Sequence, residues 1–378
     1  MAPIGIAILG AGIFAKEAHL PAITALGSSL SSLKAVYSRS EGSASQFAKD
    51  AQQSLKLADA PNVYHDGDDS VNLDVLLARS DIQAVIVVLP ITLQPSIVRK
   101  ALAAGKHVLS EKPVAPDVAS GLALIKDFDT TYKPKGLIWR VAENWEVEPG
   151  FHSAAKILAS GAIGKVTSFN VRVVNYVAKD SKWYKTPWRT VPDYQGGFLL
   201  DGGVHTIAAL RVILPSPMVS LSGFASLNME HLPPHDTINA TVKSADGSHG
   251  IIEITFGAPV PSRSQLANNG ISVTGTEGWV WIKQEKGKDA NGGEQQVFRI
   301  TIHKVTRNEK GEDVGETEEV VEEPACGVEQ ELKRFFAAIS GSDDGLGSPL
   351  GALKDVAWIQ AALNSNGLPV DLQKLVVE

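Results

Sequence analysis

Ile4-Gly5-Ile6-Ala7-Ile8-Leu9 runs directly into Gly10-Ala11-Gly12-Ile13-Phe14-Ala15, and the reading of the fold starts from this junction. The apolar hexapeptide reads as a strand, and the later run Ala84–Leu89, with no polar alternation, reads as a central strand covered on both faces. The residues after the hexapeptide form a GxGxxA string at the point where a helix begins. The first glycine permits a tight turn, and the second lets a pyrophosphate approach the backbone. The helix start then presents free N–H groups to that pyrophosphate. Gly10, Gly12, Ile13 and Phe14 are therefore the first candidate dinucleotide contacts.

Working outward, the next hundred residues repeat the alternation. Short β-branched runs at Leu33–Tyr37, Asn62–Tyr64, Ala84–Leu89 and His107–Leu109 are separated by helical stretches, notably Ala15–Leu26, Val71–Arg79 and Ser96–Ala104. Strands alternating with helices imply a parallel sheet flanked by helices. Gly136–Val141 supplies one more strand and closes a doubly wound unit. After Phe151 the texture changes. A helix over Phe151–Ser160 leads into strand compositions at Lys165–Val174, Val219–Phe224, Thr237–Lys243, Gly250–Phe256, Ile271–Gly275, Trp279–Lys283 and Gln296–Val305. Turn signals such as Asp246-Gly247 separate them. The polar stretches Glu285–Glu294 and Arg307–Glu323 read as an exposed hairpin loop and a solvated segment. Two helices, Val328–Ser340 and Ala352–Leu363, close the chain. The expectation is an α/β Rossmann domain over residues 1–125, joined by the strand at 135–141 and by C-terminal helix packing. An α+β domain with a mostly antiparallel open sheet follows over 126–378.

A chain of 378 residues exceeds the roughly 250–300 at which a single core stops growing. Hydrophobic residues make up 44% and charged residues 20%, enough apolar material for two ordinary cores. The charge balance, 35 − 42 = −7, argues against a nucleic-acid backbone or an anionic membrane as the main partner. A small-molecule substrate is the expected partner instead. The single cysteine, Cys326, excludes an intramolecular disulfide and a Cys-rich zinc site. No metal site is expected, because His231 and His235, on either side of Pro233-Pro234, have no matching ligand set. No basic lead-in precedes Lys16, and the longest apolar run, Ala84–Ile91, is far short of the ~20 residues that span a bilayer. A cytoplasmic location is the expectation.

The end of the second strand separates the two nicotinamide dinucleotides. An acid there binds a ribose 2′-hydroxyl, whereas a cationic or hydroxyl-rich loop accommodates a 2′-phosphate. Here Val36-Tyr37 runs into Ser38-Arg39-Ser40, with serine where the acid would sit and arginine beside it. Glu41 turns away into the next loop, so NADP(H) is the expected cofactor. Further on, Gly105-Lys106-His107-Val108-Leu109-Ser110-Glu111-Lys112-Pro113 places Lys112 just past a strand, at the carboxyl edge where doubly wound folds bind ligands. A lysine there can donate a proton to a carbonyl oxygen as hydride arrives, with Glu111 orienting it. Asp201 and His205 lie in Gly196-Gly197-Phe198-Leu199-Leu200-Asp201-Gly202-Gly203-Val204-His205, spaced i, i+4. On a helix they share one face, and the two glycines between them allow close approach of backbone and substrate. His19, beside Leu20-Pro21, belongs to the first helix near the cofactor edge. Trp145, Trp183 and Trp188 are candidates to wall an active site.

Taken in order along the chain, GxGxxA at Gly10–Ala15, AGKHVLSEKP at Ala104–Pro113 and GGFLLDGGVH at Gly196–His205 resemble the Gfo/Idh/MocA oxidoreductase family. Gly12-Ile13-Phe14-Ala15, Val141-Ala142-Glu143-Asn144-Trp145 and Trp188-Arg189 are similar to a fungal, yeast-like branch that uses NADPH. The resemblance implies a Rossmann domain followed by an open antiparallel sheet that makes a homodimer or higher oligomer. It also implies hydride transfer at a hydroxyl or carbonyl carbon of a sugar, polyol, aldehyde or related small molecule. It places Lys112 near the reacting oxygen and makes Asp201 and His205 a second-motif pair. Trp188 and Arg189 then lie beside the cofactor, with Glu111, Lys112 and Asn144 among its further contacts.

Two departures from the family pattern matter. Where many members carry PNxxH after the fourth strand, this chain reads Pro90-Ile91-Thr92-Leu93-Gln94. The loop with Leu89, Pro90 and Gln94 still passes the cofactor, without the Asn and His contacts. The acid usual three residues past the histidine is Ala208 here, so the resemblance alone does not imply sugar specificity. Two rival readings keep the scaffold and change the chemistry: a cofactor-binding regulatory protein without turnover, and an imine reductase. The presence of Lys112, Asp201 and His205 together favours turnover over a sensor.

Overall fold

Parallel pairing around β1 (Ile4–Leu9) organises the first of the two units into which the computed structural model divides. The first unit comprises Met1–Asn144 with Gly327–Leu353, and the second Trp145–Cys326 with Lys354–Glu378. The structure describes residues 3–258, 268–289 and 292–376.

In the first unit, β2 (Ser31–Ser38), β3 (Asn62–His65), β4 (Ala84–Val87), β5 (His107–Glu111) and β6 (Trp139–Ala142) complete a six-stranded sheet. Its order is β3-β2-β1-β4-β5-β6, and every pair is parallel. The chain reverses its winding between β1 and β4, the switch point at which doubly wound sheets open a crevice. Helices α1 (Leu20–Leu26), α2 (Glu41–Ser54), α3 (Leu73–Leu77), α4 (Gln94–Ala103) and α5 (Val118–Asp127) connect the strands. Ile6, Ile8, Ile86 and Leu109 share a core with Phe47 of α2 and with Leu332, Phe335 and Phe336 from the far end of the chain.

Two details of this unit differ from the sequence reading. The segment Ala15–Leu26 is not one α-helix, because Ala15–His19 is wound as a π turn, with the Leu20 N–H bonded to the Ala15 carbonyl. Glu41 does not turn into a loop either. It is the first residue of α2, whose N-cap Ser40 accepts a hydrogen bond from the Ser43 N–H at 3.4 Å. A serine at that position satisfies a helix N–H that would otherwise lack a partner.

The second unit contains helices α6 (Pro149–Ala159), α7 (Pro187–Thr190) and α8 (Phe198–Ile213). Its strands are β7 (Val166–Val174), β8 (Met218–Ser226), β9 (Thr237–Ser244), β10 (His249–Thr255), β11 (Gly270–Gly275), β12 (Gly278–Lys288), β13 (Glu294–Arg307), β14 (Asp313–Pro324) and β15 (Val370–Asp371). They form one nine-stranded sheet in the order β14-β13-β12-β11-β7-β10-β9-β8-β15. Neighbours are antiparallel except β7 and β10, which run parallel. Two helices follow, α9 (Gly327–Ile339) in the first unit and α10 (Pro349–Asn364), which begins in the first and continues in the second.

The segment Arg307–Glu323, read as solvated, is mostly β14, paired with β13 from Val297↔Pro324 to Arg307↔Asp313. An edge strand tolerates the six acids among its 12 residues, since most of its length is exposed. Pairs such as Lys304–Glu319 and Arg299–Glu322 add cross-strand attraction. The hairpin expected over Glu285–Glu294 is shorter than read, because β12 continues to Lys288 and β13 resumes at Glu294.

One face of the nine-stranded sheet packs against α6 and α8 and carries buried Phe169, Val171, Ile252, Ile254, Val280, Ile282, Ile300 and Ile302. On the other face, register sets Thr241, Ile251, Asn170, Ser272, Trp281, Thr301 and Val320 in one row. Ile251 there is 52% exposed. Among the described residues no helix is long and apolar enough to cross a membrane.

Candidate active site

All strands of the six-stranded sheet point the same way, so their carboxyl ends form one edge. Gly10 follows β1 there with φ at +119°, and an added Cβ would strike the Val88 carbonyl oxygen at 2.0 Å. Only glycine fits that turn. A Cβ on Gly12 would meet nothing within 4 Å, so the space in front of the second glycine is open. Ile13 and Phe14 lead into the π turn.

Ser38 ends β2 on the same edge, and Arg39 beyond it is exposed, with no ionic or hydrogen-bonding partner for its guanidinium among the described residues. Tyr37 donates its hydroxyl to Asp66 at 2.7 Å. Burial, and then the Asp66 carboxylate, push the Tyr37 hydroxyl's pKa well up. Leu89 and Pro90 follow β4, and Gln94 opens α4. The Gln94 side chain is buried, and neither end of its amide has a hydrogen-bond partner among the described residues. A buried amide left this way is costly unless another group completes it. Glu111 ends β5 and Lys112, half-buried, follows it. The Glu111 Oε1 lies 2.6 Å from His19 Nε2. Asn144 begins a 3-10 turn just past β6.

In the second unit, Asp201 and His205 lie one turn apart on α8, as their spacing predicts. Asp201 is buried and accepts a hydrogen bond from Arg189 Nε at 2.7 Å. The Arg189 guanidinium lies over the Trp188 ring at 4.0 Å and faces Trp183 at 5.3 Å, a cation held by aromatic faces. Trp188 in turn tilts onto Tyr194, whose hydroxyl is held well above the usual range by burial and then by the Asp201 charge. The His205 ring stacks on Trp145 at 5.7 Å and 30°.

Gly202 and Gly203 do not keep a backbone clear for substrate, as their spacing suggested. A Cβ on Gly202 would meet the Phe256 ring at 2.6 Å, and one on Gly203 would meet Ile359 at 3.0 Å. They let α8 pack tightly against β10 and its neighbours. The glycines with a conformational role are Gly196 and Gly197, at φ +73° and +53°; a Cβ on Gly197 would sit 2.7 Å from the Pro233 carbonyl oxygen.

His231 donates its Nε2–H to the Val177 carbonyl, 2.8 Å away. The sequence reading missed the Arg189–Asp201 ion pair and the Tyr194 contact. No spacing rule joins residues twelve positions apart on two separate helices, α7 and α8, although a tryptophan-rich run ahead of an acid was a signal that an aromatic wall would form.

Residues 4–134 match the oxidoreductase family with an NAD-binding Rossmann fold, and residues 151–281 match the GFO/IDH/MocA C-terminal domain. The chain is similar to dehydrogenase FPY6 of Fusarium mangiferae, 39% identical over 371 residues that cover 96% of each chain. It is 29% identical over 380 residues, 99% of each chain, to an uncharacterized protein of Saccharomyces cerevisiae. An oxidoreductase from Thermotoga maritima shares the fold with a TM-score of 0.80, at 30% identity and 99% coverage of both chains. The glycine turn at Gly10–Gly12 on a parallel sheet, with these matches, defines an oxidoreductase built on an NAD-binding Rossmann fold. The chain belongs to the Gfo/Idh/MocA family.

Proposed function

We propose that the protein is an NADP(H)-dependent oxidoreductase acting between the carbonyl and hydroxyl states of a small molecule such as a sugar, polyol or aldehyde. The observation that carries this reading is the assembly on one sheet edge of the Gly10–Gly12 turn, the orphaned Gln94 amide and Lys112. The open space before Gly12 and the unsatisfied Gln94 amide both suit a dinucleotide lying along that edge. Gly10, Gly12, Ile13 and Phe14 would hold its pyrophosphate, and Leu89, Pro90, Gln94, Glu111 and Asn144 the ring beyond. The bound nicotinamide supplies or accepts the hydride.

Ser38, Arg39 and Ser40 favour the phosphorylated cofactor, because an unengaged guanidinium can pair with a 2′-phosphate and no carboxylate stands at position 38. Lys112 is the proposed proton donor to the carbonyl oxygen, an ammonium being a donor with no acceptor capacity. Asp201 is already paired with Arg189, which suits an orienting acid better than one that must give up a proton. His205, held against Trp145, is proposed to orient substrate. Trp188 and Arg189 are proposed to border the cofactor. A second copy of the chain is the proposed partner of the open sheet face.

A panel of aldehydes, ketones, sugars, polyols and cyclic imines with NADPH, followed by absorbance of the reduced cofactor, tests the reading. Turnover on a carbonyl or alcohol is the expected result. Turnover confined to imines would move the chemistry to C=N bonds. NADPH binding with no turnover on any class would leave the cofactor-binding regulatory protein.

A further inference from the structure

We propose that His19 and Glu331 are positioning residues for the end of β5, forming with Glu111 a buried cluster that ties the dinucleotide turn, β5 and α9 together. The inference rests on the reading of Lys112 as proton donor and adds what holds that lysine's segment in place. His19 is fully buried, and Glu111 and Glu331 are 6% and 5% exposed. They come from three elements of the first unit: the π turn after Gly12, the last residue of β5, and α9. One nitrogen of His19 and one oxygen from each carboxylate lie within 4.8 Å of one another.

The contact between His19 Nε2 and Glu111 Oε1, at 2.6 Å, is a short hydrogen bond to a carboxylate. The same ring meets Phe14 edge-on at 5.4 Å, so the imidazole touches the dinucleotide turn and the β5 end at once. The backbone supports this placement. A π turn inserts an extra residue into a helix and is frequent at functional sites. Here it ends on His19, the ring that reaches Glu111. The donor set would also suit a cation. Two ligand atoms on one zinc ion, however, stand about 3 Å or more apart at the usual bond lengths, and these two are closer. The short contact is a direct hydrogen bond.

A carboxylate in a dry site must keep its partner or find another. Removing the imidazole would release Glu111, and the residue that follows Glu111 is Lys112. The structure thus assigns His19 and Glu331 a role in setting where Lys112 starts, without contact to the reacting atoms.

The test uses the full chain with His19→Leu, His19→Gln, Glu331→Ala and Glu331→Gln. NADPH affinity is read by fluorescence titration, turnover with the best compound of the panel, and folding by thermal melting. His19→Leu should weaken NADPH binding and lower kcat by about 10-fold each, since small misplacements at a reacting centre are costly. His19→Gln keeps a side-chain N–H for Glu111 and should recover most of both. Glu331→Gln should likewise exceed Glu331→Ala, and this pair decides the matter if His19→Leu does not fold. A lowered melting temperature with unchanged Kd and kcat would reduce the cluster to packing and overturn the proposal. Zinc or manganese at micromolar concentration raising the melting temperature of the wild type but not of His19→Leu would overturn it in favour of a cation site. Full turnover in Lys112→Met would instead remove the parent reading, and it leaves the NADPH affinities of the His19 variants to be judged by themselves.

Discussion

β4 of the six-stranded sheet is buried at every residue and β1 at five of its six, whereas β9 of the nine-stranded sheet alternates buried and exposed along most of its length. A strand with both faces covered has no side chain to offer a ligand, so convergence is possible only where strands end. Gly10, Ser38, Leu89 and Lys112 lie at those ends. A sheet with one open face has the opposite property. Its strand ends are scattered by antiparallel pairing, and its free surface is the broad row that contains Ile251 and Trp281. The contrast teaches that chemistry and association can be divided by sheet type: the parallel sheet concentrates polar groups at one edge, and the open sheet offers area.

The largest expected effect tests whether the same division separates stability from NADPH binding. Arg211 in the second unit donates to Asp355 through Nε and Nη2 and to Glu146 through Nη1. Burial works against its charge, but the two carboxylates outweigh burial and hold its pKa well above the ordinary value. Arg211→Met would leave buried acids without their cation, at a cost of about 3–5 kcal/mol. A large fall in the denaturant midpoint is expected, with NADPH binding retained in the folded protein. Loss of NADPH affinity under native conditions would break the separation.

Lys112→Met is the converse variant. Turnover should fall by a factor of about 10² or more, with little change in melting temperature and much less change in NADPH affinity. Unchanged turnover would shift the proton to His205, for which His205→Ala is the companion measurement. Arg39→Ala comes next. A hydrogen bond to a charged group contributes about 1.5–3 kcal/mol, so NADPH should bind about 10- to 150-fold more weakly while NADH is nearly unaffected. Ser38→Asp should go further by repelling the phosphate and offering an acceptor to a 2′-hydroxyl. Equal affinity of the wild type for both dinucleotides at moderate salt would refute the assignment of that loop.

The smallest energetic change sharpens the other half of the comparison. Light scattering should give the wild type at least twice the chain mass, and Ile251→Lys, at the centre of the open face, should lower it to one chain without loss of melting cooperativity. Like charges facing each other across a two-fold interface oppose association directly. A wild-type monomer at micromolar concentration would leave the open face without its proposed partner.

Much of the first unit was legible because its signals are local. The strand Ile4–Leu9 and the glycines after it lie within a dozen residues, and an unbroken apolar run followed by GxGxxA admits one backbone path. Asp201 and His205 were readable as one helix face for the same reason. The strand β14 was not, because glutamate after glutamate resembles a solvated linker, and only pairing with β13 makes it an edge strand. Gly202 and Gly203 looked like substrate clearance, and their purpose appears only when Phe256 and Ile359 are in place beside them.

By itself, then, the order of residues determined the alternation of elements, the glycine turn after β1 and the candidate residues, since each is set by neighbours a few positions away. Tertiary structure alone decided that Arg189 pairs with Asp201, that His19 meets Glu111 across 92 positions, and that Glu331 joins them from α9. The physical reason is range. Periodicity and turn chemistry act along the chain, whereas a buried charge takes whatever partner the completed packing brings within hydrogen-bonding distance.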